Sequence, residues 1–121
     1  MANVLVVDDH ADLREVVSEL LKLHGHRVSA CGCGETAMQQ MLIEPPDCAI
    51  VDERLPGISG LQLLGKIRTD PLLSSVRVII CSADDSNRRQ AASAGAVDFW
   101  LKGSNKLFSA AAELDSFLKS C

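Results

Sequence analysis

Val4-Leu5-Val6-Val7-Asp8-Asp9 decides the fold. Four apolar residues, three of them β-branched, make a run that is short for a helix, and the chain then turns abruptly acidic. A continuous apolar run of this kind suits a parallel strand covered on both faces. Working outward, comparable runs occupy residues 48–51, 76–81 and 99–101, and a weaker alternating one occupies 27–31. Helical spacing fills the gaps. Leu13, Val16, Val17, Leu20 and Leu21 put one apolar face on a helix over residues 12–24. Asp12 with Glu15 is expected to form its capping box, and Gly25 to stop it in a left-handed turn. Ala37, Met38, Met41 and Leu42 mark a second helix that ends before Pro45-Pro46, its methionines read as core. Leu61, Leu64 and Ile67 mark a third, ending before Pro71. A thin, Ala-rich fourth spans about 87–94 with Gly95 as its stop. Leu107, Ala111, Leu114 and Leu118 mark a fifth.

The order is βα five times, which implies an α/β fold: a doubly wound, three-layer sandwich with a parallel sheet between helices. A length of 121 residues fits one domain, taken as 1–121. The chain carries 12 basic and 16 acidic side chains and a net charge of -4, which argues against direct nucleic-acid binding. Only Phe99, Trp100, Phe108 and Phe117 are aromatic, so few rings are available to stack on bases. No apolar run approaches the length of a membrane helix, and Met1-Ala2-Asn3 lacks the basic start of a secretory signal. Five cysteines, an odd number without disulfide spacing, point to a reducing cytoplasm, with Cys48 and Cys81 as small buried hydrophobes.

In sheets of this type ligands bind beyond the carboxyl ends of the strands. Asp8 and Asp9 follow the first strand, Asp52 the third, Ser82 the fourth and Lys102 the fifth. Three carboxylates on one rim repel each other and raise each other's pKa values. A hard divalent cation offsets that cost, and Mg²⁺ typically takes one or two carboxylates with waters and a phosphate. A carboxylate can attack phosphorus to give an acyl phosphate, while metal and lysine neutralise the transferred group. Each residue alone means little; a single Asp after a strand is more often a helix cap.

Together, Val6-Val7-Asp8-Asp9, Val51-Asp52 with Leu55-Pro56 and Gly60, Cys81-Ser82-Ala83, and Gly95-Ala96 with Asp98-Phe99 and Leu101-Lys102 resemble the receiver domain of two-component response regulators, the CheY-like superfamily. The resemblance spans almost the whole chain. It implies a flavodoxin-like sheet in order 2-1-3-4-5, with Asp52 as phosphoacceptor. It implies Mg²⁺ held by Asp9, by Asp8 largely through water, by Asp52 and by the backbone carbonyl of Arg54. Ser82 is implied as the switch hydroxyl, Lys102 as the phosphate's partner and Phe99 as the aromatic switch. The implied donor is a sensor histidine kinase or phosphotransfer protein, and the implied output surface is the fourth helix, fifth strand and fifth helix. Such a domain catalyses only its own phosphorylation and dephosphorylation. Kinase, output and effector stay open.

The sequence departs from the family pattern in two places. Gly103 replaces the usual proline after the lysine, so the 102–103 bond is expected to be trans or its strain absorbed by glycine. Phe99 lacks the hydroxyl of the commoner tyrosine, so its switching rests on burial; a permanently buried core Phe is the plainer reading. Arg54 and Asp84 are expected to border the site mouth and to pair there. Glu53 reads as a solvated loop residue. Three rival functions remain. Gly32-Cys33-Gly34-Glu35-Thr36-Ala37 matches a dinucleotide fingerprint, but after the wrong strand. A phosphatase-like enzyme would need a DxD at the first strand, which is missing. A pseudo-receiver, an interaction module never phosphorylated, is kept alive by Gly103.

Overall fold

A computed structural model describes residues 2–102. The expected fifth helix and the 102–103 peptide bond lie outside the described residues. The elements run β1 (Asn3–Val7), α1 (Ala11–Leu23), β2 (Arg27–Cys31), α2 (Gly34–Ile43), β3 (Cys48–Asp52), α3 (Gly60–Thr69), β4 (Arg77–Ser82), α4 (Arg88–Ser93) and β5 (Asp98–Leu101). All neighbouring strands are parallel, in order β2-β1-β3-β4-β5. The chain winds outward from β1 in both directions, so the strand order reverses beside β1 and β3.

Side-chain alternation divides the core into two layers. Leu5, Val7, Val51, Val78, Ile80 and Phe99 face α2, α3 and α4, packing on Ala37, Met41, Leu64, Ile67 and Ala91. Val4, Val6, Ile50, Ile79, Cys81 and Trp100 face the opposite side, where Val17 and Leu21 of α1 meet them. β3 is buried at all five positions, as its unbroken apolar run requires. β2 is an edge strand with only Cys31 buried. Met41 is fully buried and Met38 packs against the same layer, both as core. Burial pushes the Cys48 thiol up to about 12, and Cys81 is raised for the same reason, so neither is a reactive group.

The expected capping box of α1 does not form. His10 is the N-cap and makes no side-chain capping bond, while Asp12 is already the second residue of the helix, within its first turn. The loop is held instead by Asp8, whose Oδ1 accepts the His10 N–H at 2.9 Å. Gly25 does close α1, at φ 87°. α3 has the full capping box that α1 lacks: Ser59 Oγ accepts from Gln62 N–H, and Gln62 Oε1 from Ser59 N–H. At its other end Arg68 donates to the Gly95 carbonyl from Nε and Nη2, at 3.2 and 2.7 Å, and to the Val76 carbonyl from Nη1 at 2.6 Å. One guanidinium thus ties α3 to the start of β4 and to the turn before β5.

Candidate functional site

The register aligns the strand ends. Val7 lies opposite Val51, Asp52 opposite Cys81, and Ser82 opposite Leu101. Asp52 and Ser82 are each the last residue of their strand, and Asp8 is the first beyond β1. Asp8 and Asp52 are both 6% exposed, while Asp9 faces outward. One carboxylate oxygen from each of the three lies within 4.8 Å of the others.

Lys102 completes this cluster. Its backbone N–H donates to the Ser82 carbonyl at 2.7 Å, which continues the β4–β5 ladder one step past the strand. That bond aims the side chain back over the rim. Its Nζ stands 3.0 Å from Asp52 Oδ2 and 3.2 Å from Asp8 Oδ2. Burial alone would lower the ammonium's pKa, but the two carboxylates outweigh it and hold Lys102 above the ordinary lysine range. Asp52 is shifted upward too. Burial is the main cause and Asp8 adds repulsion, which Lys102 and the Arg54 N–H only partly offset.

The backbone around Asp52 is tightly fixed. Arg54 N–H reaches Asp52 Oδ1 at 3.3 Å, and Glu53 N–H donates to the Cys81 carbonyl at 2.8 Å. Gly60 lies so close that a Cβ there would sit 2.4 Å from the Asp52 carbonyl oxygen. Glu53 is not the solvated loop residue its sequence context suggests. Its carboxylate accepts the Leu61 N–H at 3.0 Å, satisfying an open donor of α3, and burial raises its pKa. Arg14 was likewise unforeseen: its Nη1 donates to the Asp8 carbonyl at 2.7 Å, pinning the loop after β1 from α1. The expected Arg54–Asp84 pair is not a direct contact. Asp84 accepts from the Ser86 N–H and hydroxyl, which lower its pKa, and Arg54 adds only a weaker long-range attraction.

Ser82 is buried beside the cluster, its Oγ accepting a long 3.4 Å bond from Asp84 N–H. Phe99 lies in the α2–α4 layer, and Trp100 in the opposite layer with its indole N–H 3.1 Å from Asp98 Oδ2. The glycine pair at 32 and 34 opens α2, away from the first strand. A Cβ on Gly34 would meet Ile58 at 2.5 Å, a packing reason for that glycine.

The donor set fits a magnesium ion. All three side chains offer hard oxygens, one is open to solvent for access, and one lysine leaves the rim with an excess of negative charge. Fold and rim together define a class: a flavodoxin-like sheet bearing an acidic cluster and a lysine at its switch point.

Comparison with known proteins narrows that class. Residues 4–111 match the response regulator receiver domain. The transcriptional regulatory protein KdpE of Mycobacterium tuberculosis is 34% identical over 102 residues, covering 84% of this chain and 45% of that protein. The phosphate regulon regulator PhoB of Pseudomonas aeruginosa is 29% identical over 101 residues, covering 82% and 44%. This chain therefore spans a little under half the length of these curated relatives. Among solved structures, a response regulator from Chloroflexus aurantiacus has a TM-score of 0.90 at 28% identity, with 98% of both chains covered. The response regulator TrrA of Thermotoga maritima, solved with Mg(2+)-BeF, has 0.86 at 30%, covering 98% of this chain and 99% of that one. The chain belongs to the response regulator receiver domain family.

Proposed function

We propose that residues 1–121 form one receiver domain that takes a phosphoryl group onto Asp52, in a magnesium-dependent reaction, from a sensor histidine kinase or phosphotransfer protein in the cytoplasm. The observation that carries this reading is Lys102 bridging Asp52 and Asp8 beside the exposed Asp9. A carboxylate oxygen of Asp52 attacks phosphorus, a P–O bond forms, and the donor's P–N bond breaks. Lys102 is within reach to leave Asp8 and pair with the new phosphoryl oxygens. Asp8, Asp9, Asp52 and the Arg54 carbonyl would hold Mg²⁺, which supplies charge neutralisation at the phosphoryl oxygens. The Ser82 hydroxyl, weakly held at 3.4 Å, is free to turn toward the phosphoryl group, and Phe99 answers it on the α4–β5 surface. The domain acts on itself and turns over no substrate beyond its donor. Incubation with acetyl phosphate and Mg²⁺ is expected to add the mass of one phosphoryl group to the wild type and none to Asp52→Asn. An unaltered wild-type mass would overturn the proposal and favour the interaction-module reading.

A further inference from the structure

We propose that Arg88, the first residue of α4, is a positioning residue for Phe99, holding the ring inward before any phosphoryl group arrives. Three observations carry this. The Arg88 guanidinium carbon lies 4.7 Å from the Phe99 ring centroid, over its face. Phe99 is 7% exposed and packs in the same layer as Ile80 and Ala91, so its seat is already occupied. Arg88 itself is exposed, and among the described residues no carboxylate lies within ion-pair range of it. Its charge is therefore spent on the ring, whose negative face attracts it.

Phe99 lacks a hydroxyl and has no terminal hydrogen bond with which to fix its orientation, and the arginine provides a substitute from outside. The loop from Ser82 to Arg88 is short, so a shift of Ser82 is passed to the residue covering the ring. A pre-formed inward ring raises the fraction of molecules competent to close around the phosphoryl group, and with it the apparent affinity for that group.

The inference rests on Asp52 being the phosphoacceptor, and two readouts separate the two ideas. The first is a beryllofluoride titration with Mg²⁺, followed by Trp100 fluorescence. Arg88→Ala is expected to weaken the apparent affinity about two- to fivefold, the worth of one exposed cation–π contact. Arg88→Lys should retain most of it, and Arg89→Ala should titrate as wild type. The second needs no ligand: in the free protein, the Arg88 side-chain protons should show upfield ring-current shifts that vanish in Phe99→Leu. A wild type that ignores beryllofluoride would remove the phosphoacceptor reading. Unshifted Arg88 protons, or an Arg88→Ala variant that titrates as wild type, would overturn the arginine's role. Arg88 is on the surface, so circular dichroism is expected to show the variants folded.

Discussion

Asp52 carries an electrostatic cost that its neighbours only partly relieve. Burial holds its carboxyl above the ordinary aspartate range, so the folded chain binds this proton more readily than the unfolded chain does. The group's contribution to stability therefore falls as pH rises through the window between the ordinary value and the folded one. Asp52→Asn is expected to raise the urea midpoint at neutral pH, with the gain disappearing below about pH 4, where both states bind the proton. Urea titrations across pH check this, and a lower midpoint for the variant at neutral pH would show that the bond to Lys102 outweighs desolvation. Lys102 follows the same direction at higher pH. Its folded pKa is raised, so its contribution is complete below the ordinary lysine value and is lost as pH climbs through the folded one. Residue identities at this rim were readable from sequence because Asp8, Asp9, Ser82 and Lys102 each sit at or just past a strand end. Arg14, Glu53 and Arg88 were not readable. Their partners are a carbonyl, a backbone amide and a ring face, and none of these leaves a mark in residue spacing.

At the scale of elements, strands were more legible than helix ends. β1, β3 and β4 are nearly continuous apolar runs, and only their limits moved, by one residue. Helix starts depend on single hydrogen bonds that several nearby residues can supply. Asp12 and Glu15 satisfied the pattern of a capping box, yet α1 begins earlier because Asp8 already secures His10. Ser59 and Gln62 satisfied the same pattern and do form one. Ser59→Ala is expected to cost about 0.5–2 kcal/mol, read as a lower urea midpoint with an unchanged slope. Because α3 follows the loop that holds Asp52, the same variant should also weaken Mg²⁺ binding modestly. If stability fell and metal affinity were untouched, the loop would be fixed by Gly60 and Glu53 alone.

For the whole molecule, the alternation of two periods was enough to give the layers and the parallel sheet, while the strand order was implied by the resemblance to receiver domains. A ligand that binds the folded rim and not the unfolded chain must stabilise the entire sheet. Mg²⁺ at a hundred times its dissociation constant is expected to add about 2.7 kcal/mol, seen as a raised melting temperature that EDTA reverses. Asp9→Asn leaves the buried pair intact and should shrink that increment. An equal rise in the variant would place the ion elsewhere.

The border strand β2 has a consequence for how copies of the chain meet. Among the described residues it pairs on one side only, with β1, and leaves its other side open. Five residues long, it starts with a charged Arg27 and buries only Cys31. An open border invites strands of other copies to join and grow into fibrils, and short, charged borders are how sheets resist that. Resistance to self-templated polymerisation is thus built into the least apolar strand, which frees the three inner strands, β1, β3 and β4, to be as greasy as their packing demands.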